Sequence, residues 1–365
     1  MGSSSGVLFK VTTFGESHGP AVGAIVEGCP PNIQLDLEQL QNDLDRRRPG
    51  QSHLTTSRSE LDRVEILSGL FEGKTTGTPI ALVIKNQDAR SRNYDRVKDL
   101  YRPGHGDASY IARYGIRDYR GGGRASARET AARVAAAAIA RQYLRQTYAI
   151  EVLAWVDQVY TDRANVDGQR VTQDQIDSEL TRCPDPQAAQ RFEKLIVDAK
   201  KDGDTLGGIV SAIARNVPAG WGSPVFDKLE ADLAKACLSL PACKGFDIGS
   251  GFEGVALKGS EHNDAWKAPP HSQDMPIAAS NRAGGTLAGI STGAPIELRC
   301  AFKPVSTHFK TQNTVNTQGK SIEFKNEGRH DPCVLPRAVP LVEAAILLTL
   351  MDHALRTLAL HRDHN

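Results

Sequence analysis

From Ala131 to Ala140 the chain is alanine at almost every position, interrupted only by Arg133, Val134 and Ile139. Alanine is the strongest helix former, and a helix that is apolar on most faces has no side to offer water, so it is buried. Its small side chains also let sheets approach from either side. The expectation is therefore a central helix, running from Ser126 to about Tyr148, with other elements packed around it. Ser126 and Glu129 have the spacing of a capping box, which sets the start of the helix at Ser126. Just ahead lies Arg120-Gly121-Gly122-Gly123-Arg124, with Arg128 one turn further on. Unpaired N–H groups at a helix start, glycines that let the backbone come close, and three arginines together make an anion-binding junction.

The 365 residues, 40% hydrophobic and 24% charged, have the composition of a globular protein. With 44 basic and 43 acidic residues the net charge is +1, so any basic site is a local cluster, and with 6% aromatics the chain is a poor candidate for a nucleic-acid binder. The six cysteines are scattered without a C-x-x-C pair, which indicates neither a zinc site nor a disulfide framework and points to reduced thiols in a cytoplasmic protein. Residues 1–6 are small and polar and read as a disordered lead without a signal-peptide pattern. The apolar run Ala344 to Met351, bracketed by Glu343 and Asp352, is too short to span a bilayer.

Val7 to Thr13, Ala21 to Glu27, Val64 to Phe71, Pro79 to Lys85, Gly208 to Val217, Thr286 to Ser291 and Ile296 to Phe302 read as strands. Helices are expected from Asp36, with Gln39 completing a capping box, to Arg46-Arg47-Arg48-Pro49-Gly50. Further helices follow from Asp107, from Ala188 to Lys201, from Val225 to Leu238 and from Arg337 to Leu360. Asn86 to Arg102 reads as a mobile loop over a site, Asp157 to Pro186 as an irregular excursion, and Glu261 to Ser280 as a flexible loop. Paired strands and runs of helix without regular alternation favour an α+β fold, and no linker divides residues 1–365 into separate domains.

Two histidines, His18 and His105, stand in glycine-bounded loops beside the potential partners Ser17 and Asp107, and imidazole can donate or accept a proton near neutrality. Gly15-Glu16-Ser17-His18-Gly19 is unlike the strand-turn-helix serine elbow of esterases, because its histidine adjoins the serine. Lys303 to Thr307 couples a strand end to hydroxyls and a cation, compatible with a phosphate cradle. Arg329-His330-Asp331-Pro332-Cys333 gathers a cation, an imidazole and a carboxylate ahead of a helix. A phosphotransferase or NAD(P) oxidoreductase would require a P-loop lysine or a βαβ fingerprint, and the glycine-rich junction has neither.

Phe14 to Gly19, Asp45 to Gly50, Arg102-Pro103-Gly104-His105, Gly121 to Thr130, Lys303-Pro304 and Arg329 to Cys333 together resemble the signatures of the chorismate synthase family, in the same order and across almost the whole chain. The resemblance implies a β-α-β sandwich with a helical core between antiparallel sheets, a homotetramer, and bound reduced FMN. It implies a lyase that eliminates phosphate from 5-enolpyruvylshikimate 3-phosphate to give chorismate, the last step of the shikimate pathway, with no net redox change. No nucleic acid, membrane or metal enters that chemistry.

Carried over by position, the resemblance puts FMN contacts at Arg124, Ala125, Ser126, Pro241, Ala242, Ala288, Lys303, Pro304, Val305, Ser306, Thr307 and Arg329. It puts a pyridine nucleotide at Arg47 and His53, and leaves open whether the chain reduces its own flavin with NADPH. Ala125, Pro241, Ala288 and His53 depart from the family's usual serine, polar residue, glycine and arginine. Backbone contacts would tolerate the first three, whereas imidazole lacks the permanent charge and the fork of a guanidinium. Arg46, Arg47, Arg48, Arg124 and Arg128 are the candidates to hold phosphate and carboxylates. The implied roles are His18 as proton donor to the leaving phosphate, His105 beside the flavin ring, Asp331 as a partner in removing the substrate proton, and Ser17 and Ser126 as relays.

Overall fold

The computed structural model describes residues 2–56, 60–87, 96–269, 271, 275–326 and 330–360. The first sheet is built around the hairpin of β2 (Lys10–Gly15) and β3 (Ala21–Glu27), which β7 (Ile80–Lys85) and β4 (Val64–Ile66) extend on one side. Between those two strands the chain makes a small hairpin, β5 (Leu70–Phe71) with β6 (Lys74–Thr75). Successive side chains of a strand face opposite ways, so Val22, Ala24 and Val26 sit opposite Ile84, Leu82 and Ile80 on one buried face.

Residues 2–6 do not form a disordered lead. Ser4–Ser5 is a short edge strand, β1, paired with Thr12 and Val11 of β2. It is held because the next residues are anchored: the N–H groups of Val7, Leu8 and Phe9 all donate to Oδ1 of Asp352, at 2.8, 2.7 and 2.9 Å.

The second sheet is antiparallel and has the order β11-β16-β10-β8-β9, from β8 (Glu151–Val159), β9 (Asp162–Arg163), β10 (Gly208–Arg215), β11 (Cys243–Ile248) and β16 (Ile296–Phe302). Between the sheets lie α1 (Leu37–Arg47), α3 (Thr130–Tyr148), α6 (Leu229–Leu238) and α8 (Leu335–Leu360). The alanine face of α3 packs on β3 and β7 of the first sheet and on α1 and α8, while α8 packs on β8 and β10 of the second. The architecture is thus an α+β sandwich with a helical core. α8 is long and apolar enough to cross a membrane by composition, yet nearly all of it is buried inside the protein.

One carboxylate staples three of these helices. Glu343 of α8, fully buried, accepts from Arg46 of α1 at 2.6 and 3.0 Å and from Arg141 of α3 at 2.8 Å. Burial pushes its pKa up, but the two guanidinium groups outweigh burial and hold it down at about 2.

Several boundaries differ from the expectations. The central helix starts at Thr130, because Gly123–Ala125 and Ala127–Glu129 are separate 3₁₀ turns. Ser126 Oγ accepts from the Arg128 N–H, and the Glu129 carboxylate accepts from Thr13 Oγ1 at 2.7 Å and from Arg133, so tertiary partners displace the capping box. Thr286 to Ser291 is not one strand but a tight hairpin, β14 (Thr286–Leu287) and β15 (Ile290–Ser291), with Ala288 at φ 53° and Gly289 at φ 92° in the turn. The excursion after Asp157 includes β9 and α4 (Gln173–Asp177), and the helix expected from Val225 begins at Leu229. The loop after Glu261 carries a hairpin, β12 (Trp266–Lys267) with β13 (Ile277–Ala278), preceded by α7 (Gly259–His262). α2 (Asp107–Tyr114), α5 (Pro186–Lys201) and a last hairpin, β17 (Gln312–Val315) with β18 (Ser321–Phe324), complete the fold. Residues 88–95 of the expected loop over the site lie outside the described residues.

Candidate active site

A cleft of about 490 Å³ opens where four separated segments converge: Gly104 to Asp107, Gly121 to Ala125, Pro241-Ala242, and the run holding Lys303, Val305 and Ser306. Asp331 also lines it. The size suits a cofactor or drug-sized ligand.

The glycine turn shapes one wall. Gly121 has φ 115°, and a Cβ there would stand 2.3 Å from His18 Nδ1 and 2.9 Å from Ser17 Oγ. Only glycine lets the Ser17-His18 loop pack this close. Ser17 is buried, with its Oγ 3.1 Å from His18 Nδ1, so the residues expected as relay and donor do meet. Arg124 points back into the first sheet, donating to Thr13 Oγ1 at 2.6 Å and to the Gly15 carbonyl at 3.0 Å.

His105 is on the opposite wall. Its Nδ1 lies 3.0 Å from the Pro103 carbonyl, which can only accept, so Nδ1 carries the hydrogen. Burial, and then the charge of Arg102, lower its pKa and keep it neutral, which leaves Nε2 to accept from Thr307 Oγ1 at 3.0 Å. Asp107 is not its partner. That carboxylate receives Arg102 at 2.7 and 2.8 Å and Arg117 at 2.7 Å, and these bonds hold it at about 2 against the upward push of burial. The Lys303 ammonium donates to Ser306 Oγ, and Ser306 Oγ to the Gly104 carbonyl at 2.8 Å, which joins the third and fourth segments to the histidine turn. Ala242, at φ 66°, receives the Lys303 N–H on its carbonyl.

Asp331 takes the Thr56 N–H on Oδ1 at 2.9 Å and Arg337 Nη1 on Oδ2 at 2.5 Å. Ser17, His18, Ser126, Pro304 and Thr307 adjoin cleft residues without lining it. Ala288 is at the tip of the β14–β15 hairpin, next to a glycine packed against Lys228, and is not among the cleft residues. Arg329 lies outside the described residues.

Most of the expected anion clamp is committed elsewhere. Arg47 and Arg128 are buried and share Asp62, whose pKa they lower against its burial. Arg46 is in the Glu343 staple, and Arg48 is half-exposed, 3.9 Å from Asp45. His53 is on the surface, its Nε2 2.9 Å from Glu193, so the structure does not bring it onto one surface with Arg47. Apart from the Arg48–Asp45 contact, these bonds arise from carboxylates outside the motifs, which motif reading does not see. Conversely, Arg102, Arg117 and Tyr110 line the cleft and were not singled out as site residues; the Arg102-Pro103-Gly104-His105 motif was the available signal for the first.

The residues present fit reduced FMN. Three φ-positive glycines, Gly104, Gly121 and Gly123, and the turn at Ala242 give backbone access to a planar ring, and Lys303 with Ser306 in the lining, next to Thr307, offers a cation and hydroxyls for its phosphate tail. Fold and cleft define an α+β protein whose cleft gathers cationic side chains, an imidazole and a carboxylate. A family model described as chorismate synthase matches residues 9–355. Proteins named chorismate synthase from Prochlorococcus marinus (strain MIT 9211) and Synechococcus sp. (strain JA-2-3B'a(2-13)) are 54% and 55% identical to the chain, covering 98% and 97% of it and 98% and 93% of their own lengths. A crystal structure of chorismate synthase superposes with a TM-score of 0.77 at 30% identity, over 97% of this chain and 94% of its own. The chain belongs to the chorismate synthase family. It is a carbon–oxygen lyase that requires reduced FMN and converts 5-enolpyruvylshikimate 3-phosphate to chorismate and phosphate, the final step of the shikimate route to aromatic amino acids.

Proposed function

We propose that the cleft divides the elimination between two proton-handling groups. The reduced flavin, when bound, supplies the electron-rich ring that the reaction requires without net oxidation. His18, backed by Ser17, donates a proton to the phosphate oxygen as the C–O bond breaks. Asp331 accepts the carbon-bound proton, and neutral His105 lies beside the flavin, held in place by Pro103 and Thr307. Ser126 remains the second relay. Arg46, Arg47 and Arg128 support the walls from behind, Arg124 lines the cleft while its guanidinium braces the strand from Thr13 to Gly15, and Lys303 with the hydroxyls of Ser306 and Thr307 serves the cofactor side. The observation that carries this reading is the convergence of His105, Asp331, Lys303 and the Gly121–Gly123 turn around one cleft.

The test is an anaerobic assay with the phosphorylated substrate and reduced FMN. Chorismate and phosphate should appear in equal amounts while the flavin stays reduced. Stoichiometric flavin oxidation would overturn the reading.

We also read residues 1–365 as one domain, supported by a single continuous apolar core, and the chain as a cytoplasmic homotetramer. Exposed large apolar side chains at Phe226, Phe252 and Val255 support association, since isolated monomers rarely leave so many uncovered. Near-zero net charge supports the absence of nucleic-acid and membrane partners.

A further inference from the structure

We infer that Arg337 is a positioning residue for the elimination, acting through Asp331. The inference rests on the reading of Asp331 as acceptor of the substrate proton.

Asp331 precedes α8, and Arg337 is in the first turn of that helix, both largely withdrawn from water. A carboxylate has about four acceptor sites. Among the described residues two are filled: Oδ2 by Arg337 Nη1 at 2.5 Å, and Oδ1 by the Thr56 N–H at 2.9 Å. These two bonds fix the carboxylate on the side away from the cleft that Asp331 lines. The arginine also donates from Nε to the Arg47 carbonyl at the end of α1, at 3.4 Å. Its planar fork therefore joins two segments, the α1 terminus and the Asp331 turn, to which the Thr56 N–H is also bonded, and sets the plane of the carboxylate against a rigid helix. Arg337 does not itself line the cleft, whereas Asp331 does. It acts from behind the reacting group, where orientation decides rate because a displacement of about 1 Å can cost about a hundredfold. A lysine would keep the charge but has a single point of donation, so it cannot reach Asp331 and the Arg47 carbonyl together in a fixed plane.

The experiment is a mutant cycle on the FMN-loaded enzyme with Arg337→Lys, Arg337→Met, Asp331→Asn and the Arg337→Met/Asp331→Asn double variant. Substrate carrying deuterium at the carbon that loses its proton is run alongside. Arg337→Lys should lower kcat by about ten- to a hundredfold, with KM and FMN affinity little changed and the deuterium isotope effect increased. The double variant should be no slower than Asp331→Asn alone, to within about twofold. It should also fold at least as well as Arg337→Met, because neither charge is left buried alone. A purely structural arginine would not raise the isotope effect. Losses that multiply in the double variant, or a wild-type kcat in Arg337→Lys beside a crippled Asp331→Asn, would overturn the role of Arg337 and leave that of Asp331 standing. Wild-type turnover in Asp331→Asn would remove the reading of Asp331 itself, and this inference with it.

Discussion

A methyl group added at position 121 would collide with the imidazole to which we assign proton donation. Gly121→Ala should therefore lower kcat by about a hundredfold with far-UV dichroism unchanged, since its Cβ would lie 2.3 Å from His18 Nδ1 at a φ of 115°. Gly123→Ala is the control: nothing lies within 4 Å of its Cβ, and its φ of 51° is close to what Ala288 already adopts. Equal losses in the two variants would show that glycine flexibility, and not the His18 contact, is what matters. The pH response of His105 has a definite sign. Its pKa is below 6.5 in the folded chain, so its contribution to stability is complete above about 6.5 and falls as the unfolded state takes up the proton at lower pH. At this scale the groups to which we assign the chemistry were legible, because glycine-bounded loops mark His18 and His105 and a helix boundary marks Asp331. The partner of His18 was legible in its neighbour Ser17, but those of His105 and Asp331 were not. Asp107 is two residues from His105 yet bonded to Arg102 and Arg117, whereas Thr307, 202 residues away, holds the ring.

At the level of elements, the Glu343 staple replaces what longer loops would otherwise have to hold. Glu343→Gln leaves Arg46 and Arg141 facing a neutral amide in the core, and breaking a buried ion pair from one side costs about 3–5 kcal/mol. The urea midpoint of the variant should fall accordingly, and a midpoint within error of the wild type would show that Asp43 and Asp177 suffice for the two arginines. The acid limb should change as well. The carboxyl titrates at about 2 when folded against an ordinary 4.5, so the stability it confers is present above about 4.5 and is lost as the pH falls towards 2, a loss that the variant lacks. Helices were the more readable elements, with α1, α3, α5 and α8 marked by capping residues, alanine density or apolar runs. β8 and β11 were overlooked for opposite reasons. Buried almost throughout, β8 has no alternation to reveal it, and β11 is broken by Gly245 at a register shift.

For the molecule as a whole, the apolar side chains exposed on residues 225–277 predict the assembly surface. Replacing Phe252, 78% exposed, and Val255, 87% exposed, with glutamate and lysine should shift the sedimentation coefficient towards smaller species without unfolding the protomer. Unchanged sedimentation would place the interface elsewhere. The anchoring of the Val7 to Phe9 backbone by Asp352 bears on how the chain is made. The two ends of that contact are 345 residues apart, so the edge of the first sheet waits for the last helix to leave the ribosome. At bacterial or eukaryotic synthesis rates that delay is roughly 20–70 s. During it the β2 edge and the side of α3 that packs on α8 are made but uncovered, a period in which chaperones and neighbouring nascent chains compete for them.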